Sequence, residues 1–244
     1  MELFRYLSEQ YDFFKGDTIV LAGKSAGGAA AMLYSNYLME HAKTAKIRCI
    51  SDSSLVEVKG RIPKLLTSLL EMIHEEGYSF PMPECFKDQK GNKIACYSAT
   101  VLSKYVKAPI MTVKSLYDNY ANFMVFGINC VTRNGLFLSL ENCDKPSRGK
   151  MEVVRKETIA EFESMRGNRT DIGVWAPACS GHIFTSDKFA NSDFSVPEDG
   201  LTVAEAIDQF MLNPEKAPWL VDEGAWPCNR RCSGLSLVTL RIIG

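Results

Sequence analysis

A chain of 244 residues with 46% hydrophobic and 23% charged residues has the make-up of a soluble globular protein, and it can bury a large core without disulfides or metals. With 28 Lys+Arg against 29 Asp+Glu and no basic block, it lacks the positive footprint of a nucleic-acid binder, so no nucleic-acid partner is expected. No apolar run approaches the ~18 to 20 residues of a bilayer span, and the opening from Met1 to Tyr6 is too polar for a signal peptide, so neither a membrane span nor an export signal is expected within the chain.

In chain order, residues 1–17 read as a helix ending at Lys15-Gly16-Asp17, and Thr18 to Leu21 as a short buried strand. The glycine-rich turn Gly23-Lys24-Ser25-Ala26-Gly27-Gly28 follows, then a helical pattern from Ala29 to His41 through Met32, Tyr34, Tyr37, Leu38 and Met39. Lys46 to Ile50 predicts a second strand running into Ser51-Asp52-Ser53-Ser54, and Ile62 to Glu75 an amphipathic helix started by Pro63. Residues 77–97 read as loop, Pro109 to Val113 as a third strand, Lys150 to Met165 as a helix and Ile172 to Ala176 as a fourth strand. Thr202 to Met211 is a last helix and Trp219 to Val221 a last short strand. This alternation predicts an α/β fold, a mainly parallel sheet with helices on both faces.

Two motifs compete for the turn after the first strand. Gly23-Lys24-Ser25 has the tail of a phosphate-binding loop, with Asp52 as a magnesium-side acid, but such a loop needs a glycine where Thr18 stands inside the strand. Gly23, Ser25 and Gly27 also fill G-x-S-x-G, in which small residues around a serine permit a strained strand-to-helix turn that exposes the hydroxyl; Ala26 and Gly28 suit that corner. The plainer alternative is a glycine-rich turn with an incidental serine.

A serine nucleophile needs a base, and the chain has three histidines. His41 lies at the far end of the helix that begins at the turn, well over ~15 Å away at ~1.5 Å per residue, and reads as a helix-end cation. His74 stands beside Glu75 and Glu76 on a solvated face, which leaves His182, in the small-residue loop after the fourth strand. The acid that orients a catalytic imidazole lies between serine and histidine in α/β-hydrolases, an order that both Asp52 and Asp118 satisfy. A later strand more often supplies it, which tilts toward Asp118, and an Asx turn or helix cap is the alternative for either.

Eight cysteines, several in polar turn-rich surroundings, point to oxidised pairing, and Cys228-Asn-Arg-Arg-Cys232 lies in a Pro- and Gly-flanked loop where a small ring is feasible. The two-residue spacing of zinc ribbons is absent, so no metal is expected, and the motifs imply no cofactor. Asn168-Arg169-Thr170 is a glycosylation sequon.

Five blocks in order carry a resemblance: Leu21 to Gly28, Ile50 to Ser53, Ala108 through Asp118, Trp175 to Cys179 with His182, and Val221-Asp222 through Trp226 and Asn229 to Cys232. They resemble the pectin acetylesterase and Notum family over about residues 18–233. The resemblance implies a serine carboxylesterase of α/β-hydrolase type that removes an acetyl or longer O-acyl group from a glycan or other acylated substrate. It implies the triad Ser25, Asp118 and His182, the amide of Ala26 as an oxyanion donor, and a structural or pocket-edge place for Asp52, Gly23, Gly27 and Gly28. It further implies disulfides Cys228–Cys232 and Cys85–Cys96 and an extracellular or secretory location, intracellular being the alternative. Cys49, Cys130, Cys143 and Cys179 are then expected as buried thiols.

Departures from the family are Lys24, the segment Ser54-Leu55-Val56-Glu57 where the family has glycine and aromatics, and the absence of a Gly-rich, Trp-bearing segment that supplies further oxyanion amides. Only seventeen residues precede Thr18. The chain is therefore expected to be one α/β-hydrolase-like domain over 1–244 that lacks its N-terminal strands, completed by an upstream segment or a protein partner. The alternative function is a non-catalytic family member serving as a structural or binding component.

Overall fold

The apolar runs become strands of one sheet, and the small-residue turns between them set its functional edge. The computed structural model describes residues 2–54, 68, 71, 81–89, 93–124, 126–133, 136–137, 143–186, 188–197, 200–226 and 228–229. Helix α1 (Glu2–Tyr11) and a 3-10 turn (Phe13–Lys15) lead into β1 (Thr18–Lys24), α2 (Ala26–His41) and β2 (Lys46–Asp52). After these come α3 (Pro83–Asp88), α4 (Ala99–Leu102), β3 (Ile110–Val113), α5 (Asn119–Met124) and the small hairpin β4 (Thr132–Arg133) and β5 (Leu136–Phe137). The chain continues through α6 (Lys145–Arg166), β6 (Ile172–Ala176), β7 (Ser195–Val196), β8 (Leu201–Thr202), α7 (Val203–Leu212) and β9 (Trp219–Val221).

Five strands form a parallel sheet in the order β1-β2-β3-β6-β9. The register pairs Lys24 with Asp52, Asp52 with Val113, Val113 with Trp175 and Ala176 with Val221, so every strand ends at the same edge. Residues alternate between the two faces, as a pleated strand requires. One face sets Ile19, Ile47, Cys49, Ile110, Ile172 and Val174 in a core shared with Met32, Leu38, Leu102, Met151 and Phe162 of α2, α4 and α6. The other sets Ile50, Met111, Val113 and Trp175 against Val203, Ala206 and Phe210 of α7. Burying each of the larger side chains contributes about 1.5–3 kcal/mol, which fixes the helices to the sheet. An α/β-hydrolase-like sheet with helices on both faces is what the sequence predicts. Along β1 the second face is open: Thr18, Val20, Ala22 and Lys24 are exposed, Val20 at 41%, and the outer edge pairs with no strand among the described residues.

Local chemistry explains the helix ends. Asp144 caps α6 by accepting from the Ser147 amide at 2.9 Å, with Pro146 in the first turn, so the helix opens at Lys145 rather than at the expected Lys150. Its C-cap, Gly167, has φ 49°, a conformation natural to glycine. Helix α7 carries a full capping box between Thr202 and Glu205. Residues 77–97, read as loop, hold α3 and a 3-10 turn (Lys93–Tyr97). The expected helix of 62–75, with His74, lies outside the described residues except for Ser68 and Glu71, both helical.

Cysteine pairing corrects two expectations. Cys85–Cys96 is bridged, as the family resemblance implies, but so is Cys130–Cys143, with Cα atoms 5.0 Å apart, where buried thiols were expected. Cys179 is also disulfide-bonded, its partner lying outside the described residues. Cys228, expected to close a ring with Cys232, is a free thiol. Asn229 donates to Ser195 O at 2.7 Å and to Asp222 Oδ2 at 3.0 Å and pulls this loop inward. Cys228 there packs so closely on Gly224 that a Cβ at Gly224 would lie 2.4 Å from it. Cys49, expected to be a buried thiol, is one, and burial pushes its pKa up to about 12. Asn168 of the sequon is exposed on the turn between α6 and β6.

Candidate active site

Ser25 stands between the last residue of β1 and the first of α2 with φ 52° and ψ −124°, a conformation costly for any residue with a side chain. Its N–H donates to Asp52 O at 2.7 Å and its carbonyl accepts from Gly28 N at 2.9 Å, so both flanks of the turn are pinned. Gly23 is obligatory here. A Cβ on it would fall 2.0 Å from Gly27 O. Gly28 packs against β2, where a Cβ would sit 2.8 Å from Ser54 Cβ, whereas a Cβ on Gly27 would meet nothing within 4 Å. The corner that the sequence assigned to the whole glycine pattern is thus enforced by Gly23 and Gly28. Ala26, at the first position of α2, has an amide without a partner inside the helix, at the helix's positive end.

His182 follows β6, and its Nδ1 lies 2.8 Å from Asp118 Oδ2. Asp118 is 3% exposed and ends the loop after β3. Its other oxygen, Oδ1, accepts from Ala121 N at 3.0 Å and so caps α5, which means that the helix-cap alternative and the imidazole contact coexist on one carboxylate. Tyr120, from the same helix, stacks on His182 with ring centroids 4.9 Å apart. Asp52, fully buried, makes no bond to the imidazole; its carboxylate accepts from Ser53 and from Phe184 and Thr185, just past His182. Asp118 rather than Asp52 is therefore the aspartate beside His182. Between Ser25 Oγ and His182 no hydrogen bond is formed.

The other described histidine and the free thiol of the C-terminal loop lie outside this constellation. His41 stacks on Tyr37 at 3.9 Å at the far end of α2. Burial and the neighbouring Asp222 carboxylate hold Cys228 as a thiol, above its ordinary pKa. Among the described residues no group of three or more His, Cys, Asp or Glu is gathered as a metal set. Lys24 is exposed on the open face of β1.

Three contributors were missed from the sequence. Tyr120 carries no pattern signal beyond lying two residues past Asp118. Lys114, 5% exposed, directs its ammonium at Ser54 O, 3.5 Å away, and a lysine closing an apolar strand was its only mark. Asp222 accepts from Ala178 N at 2.8 Å and so braces the segment leading to His182 from the β9 side.

A family model described as pectinacetylesterase matches residues 2–233. The chain belongs to the pectinacetylesterase family. Among the family's curated proteins, pectin acetylesterase 5 of Arabidopsis thaliana is 21% identical over 228 residues, which cover 89% of this chain and 52% of the relative. Two crystal forms of the Wnt deacylase Notum from Drosophila superpose with TM-scores of 0.66 and 0.67 at 18% and 17% identity. Each covers 88% of this chain, and this chain spans 59% and 58% of the Notum chains. This member thus shares the Notum fold and spans about half to three-fifths of the length of the relatives it matches.

Proposed function

We propose that this chain is a serine carboxylesterase in which Ser25 is the nucleophile, His182 the general base and Asp118 the acid that orients the imidazole. The observation that carries the reading is the His182 Nδ1–Asp118 Oδ2 contact of 2.8 Å on the sheet edge where Ser25 is held at positive φ. With Nδ1–H donated to the carboxylate, Nε2 is the unprotonated nitrogen of the neutral ring and the one able to take the serine proton. Ser25 Oγ attacks the ester carbonyl, His182 receives its proton and returns it to the departing alcohol, and water then releases the acid from the acyl-enzyme. The developing oxyanion is met by the amide of Ala26 at the start of α2. A hydrogen bond between the imidazole and the hydroxyl is not required beforehand, since such contacts tighten when substrate binds.

The substrate class proposed is an O-acylated glycan or other acyl ester, on the strength of relatives named a pectin acetylesterase and a Wnt deacylase. Export to an oxidising compartment is part of the same reading, supported by the bridges Cys85–Cys96 and Cys130–Cys143, the bonded Cys179 and an exposed sequon at Asn168. So is completion of the sheet by a further strand along the open edge of β1, supplied by a protein partner or a longer form of the chain.

A fluorophosphonate probe tests the chemistry. The full chain is expected to label, Ser25→Ala to abolish labelling, and Asp118→Asn to slow ester hydrolysis by about 10²–10⁴-fold, as loss of the correct tautomer does in other triads. An unlabelled wild-type protein, or label that persists in Ser25→Ala, overturns the assignment. The unbonded Ser25–His182 pair favours a second reading, a non-catalytic binding member of the family, which predicts the unlabelled outcome.

A further inference from the structure

Four non-glycine residues have positive φ among the described residues, and three of them, Ser25, Ser53 and Ile183, stand at the C-terminal edge of the sheet. Ile183, at φ 68°, is the most strained, because a β-branched side chain rarely tolerates this region. Such conformations persist only where surrounding bonds over-determine them, and they cluster where geometry serves function.

One residue supplies most of those bonds. The backbone carbonyl of Asp52 accepts from Ser25 N at 2.7 Å. Its Oδ2 accepts from Phe184 N at 2.8 Å and from both Thr185 N and Thr185 Oγ1 at 2.7 Å. Its Oδ1 accepts from Ser53 Oγ at 2.8 Å, and Ser53 Oγ in turn accepts from Ile183 N at 2.9 Å. The three residues directly after His182 are therefore bound end to end by Asp52 and its neighbour. Phe184, fully buried on Trp175 with ring centroids 5.1 Å apart, locks the same stretch from below.

Asp118 fixes the rotation of the His182 ring but makes no bond to the serine turn, so it sets the imidazole relative to β3 only. Asp52 is bonded to Ser25 through its main chain and to the His182 loop through its side chain. We propose that Asp52 is a positioning residue of the esterase site, a brace that sets the height of the His182 imidazole above the Ser25 hydroxyl. The proposal rests on the esterase reading above. A carboxylate is required because four donors converge on two acceptor oxygens. Asparagine keeps the shape but offers a single acceptor, and its NH₂ would face donors on one side or the other. Since a misplacement of about 1 Å can cost ~10²-fold in rate, releasing this loop is felt at Ser25 although Asp52 touches no substrate.

The test uses the full chain and two readouts: the second-order rate of fluorophosphonate labelling, and the hydrogen-bonded Nδ1 proton of His182 observed by NMR. Asp52→Asn, still folded by circular dichroism, is expected to label about 10²-fold more slowly and to lose the protected Nδ1 proton signal. Ester hydrolysis by unlabelled protein, normalised to the number of competent sites that the probe titrates in a separate aliquot, is expected to show the loss in kcat rather than KM, which a fold-only role would leave unchanged per competent site. Should Asp52→Asn fail to fold, Ser53→Ala and Thr185→Val, each removing part of the brace, take its place with smaller losses of several-fold. Labelling within twofold of wild type, with the Nδ1 signal retained, overturns the proposal. A wild-type protein that does not label instead overturns the esterase reading, and the Nδ1 signal then decides alone whether Asp52 holds His182.

Discussion

Gly23 and Gly27 occupy equivalent places in the G-x-S-x-G pattern, yet they answer to different physics. A Cβ on Gly23 would overlap the backbone of the first turn of α2, with Gly27 O at 2.0 Å, Gly27 C at 2.2 Å and Gly28 N at 2.7 Å, and backbone cannot give way as a flexible side chain can. Gly27 faces open space, and in the first turn of a helix alanine is preferred over glycine by up to ~1 kcal/mol. Gly23→Ala is therefore expected to destabilise by about 3 kcal/mol or more, or to prevent folding. Gly27→Ala should leave the urea midpoint unchanged or raise it. Equal effects at the two positions would show that the turn is not built as described. At this scale the sequence reveals the residues whose types are rare for their setting: a serine among glycines, and a histidine and an aspartate after apolar runs. It conceals Asp52 as a brace and Tyr120 as a stacking partner. The bonds from Phe184 and Thr185 to Asp52 join residues 132 and 133 positions apart, and no local pattern encodes them.

Strands were legible because a parallel strand buried on both faces is a largely apolar run: β3 and β6 are buried throughout, while β2, with Lys46 and Arg48 at its start, and the half-buried β9 showed as shorter apolar stretches. Their ends were less so: β1 continues through Gly23 to Lys24, and α2 opens at Ala26, since pairing with β2 and the strained turn, not propensity, set those limits. Disulfides were the least legible, because pairing depends on where irregular segments come to rest. Cys130 and Cys143, 13 positions apart, are bridged with Cα atoms 5.0 Å apart, whereas Cys228, packed closely against Gly224, is a free thiol. Cys85–Cys96 staples α3 to the following 3-10 turn, with a sequence separation of 11 and both residues fully buried. Closing a loop of that size constrains the unfolded chain by about 3 kcal/mol. The double variant Cys85→Ala/Cys96→Ala is expected to lose about 2–4 kcal/mol in urea unfolding under oxidising conditions. Under reducing conditions that difference from the wild type should largely vanish. A loss that persists undiminished in reductant would assign the effect to packing of the two side chains instead.

Across the molecule, the site edge is tied to the helical layer by a network of ionisable groups around Glu152 of α6. Glu152 pairs with Arg155 at 2.8 Å and accepts from the Tyr117 hydroxyl and from Trp226 N, while Arg155 donates to Glu223 O at 2.8 Å. Three parts of the chain meet there: α6, the residue before Asp118, and the segment after β9. Burial raises the Glu152 pKa, but the bonds from Tyr117, Arg155 and Trp226 outweigh it and leave the carboxyl below its ordinary value of 4.5. A native pKa below the unfolded one means that the unfolded chain binds the proton first as pH falls. The stabilisation is thus complete above the ordinary value and is lost as pH falls through the depressed one. Tyr117 works in the opposite window: burial and its bond to Glu152 raise its pKa above the ordinary 10.0, so its contribution is intact below pH 10 and fails only in stronger alkali. Asp144 and Glu205 are also depressed, so the acid limb of the wild-type curve is a sum, and only a difference isolates Glu152. Thermal unfolding of wild type and Glu152→Gln between pH 3 and 7 should show the variant less stable at neutral pH. The two curves should draw together toward the acid end, below the ordinary value of 4.5, as the wild-type carboxyl takes up the proton that the amide mimics. Parallel curves across the whole range would mean that Glu152 contributes packing and neutral hydrogen bonds but not charge. In that case the link between α6 and the loop that carries Asp118 would be insensitive to acid.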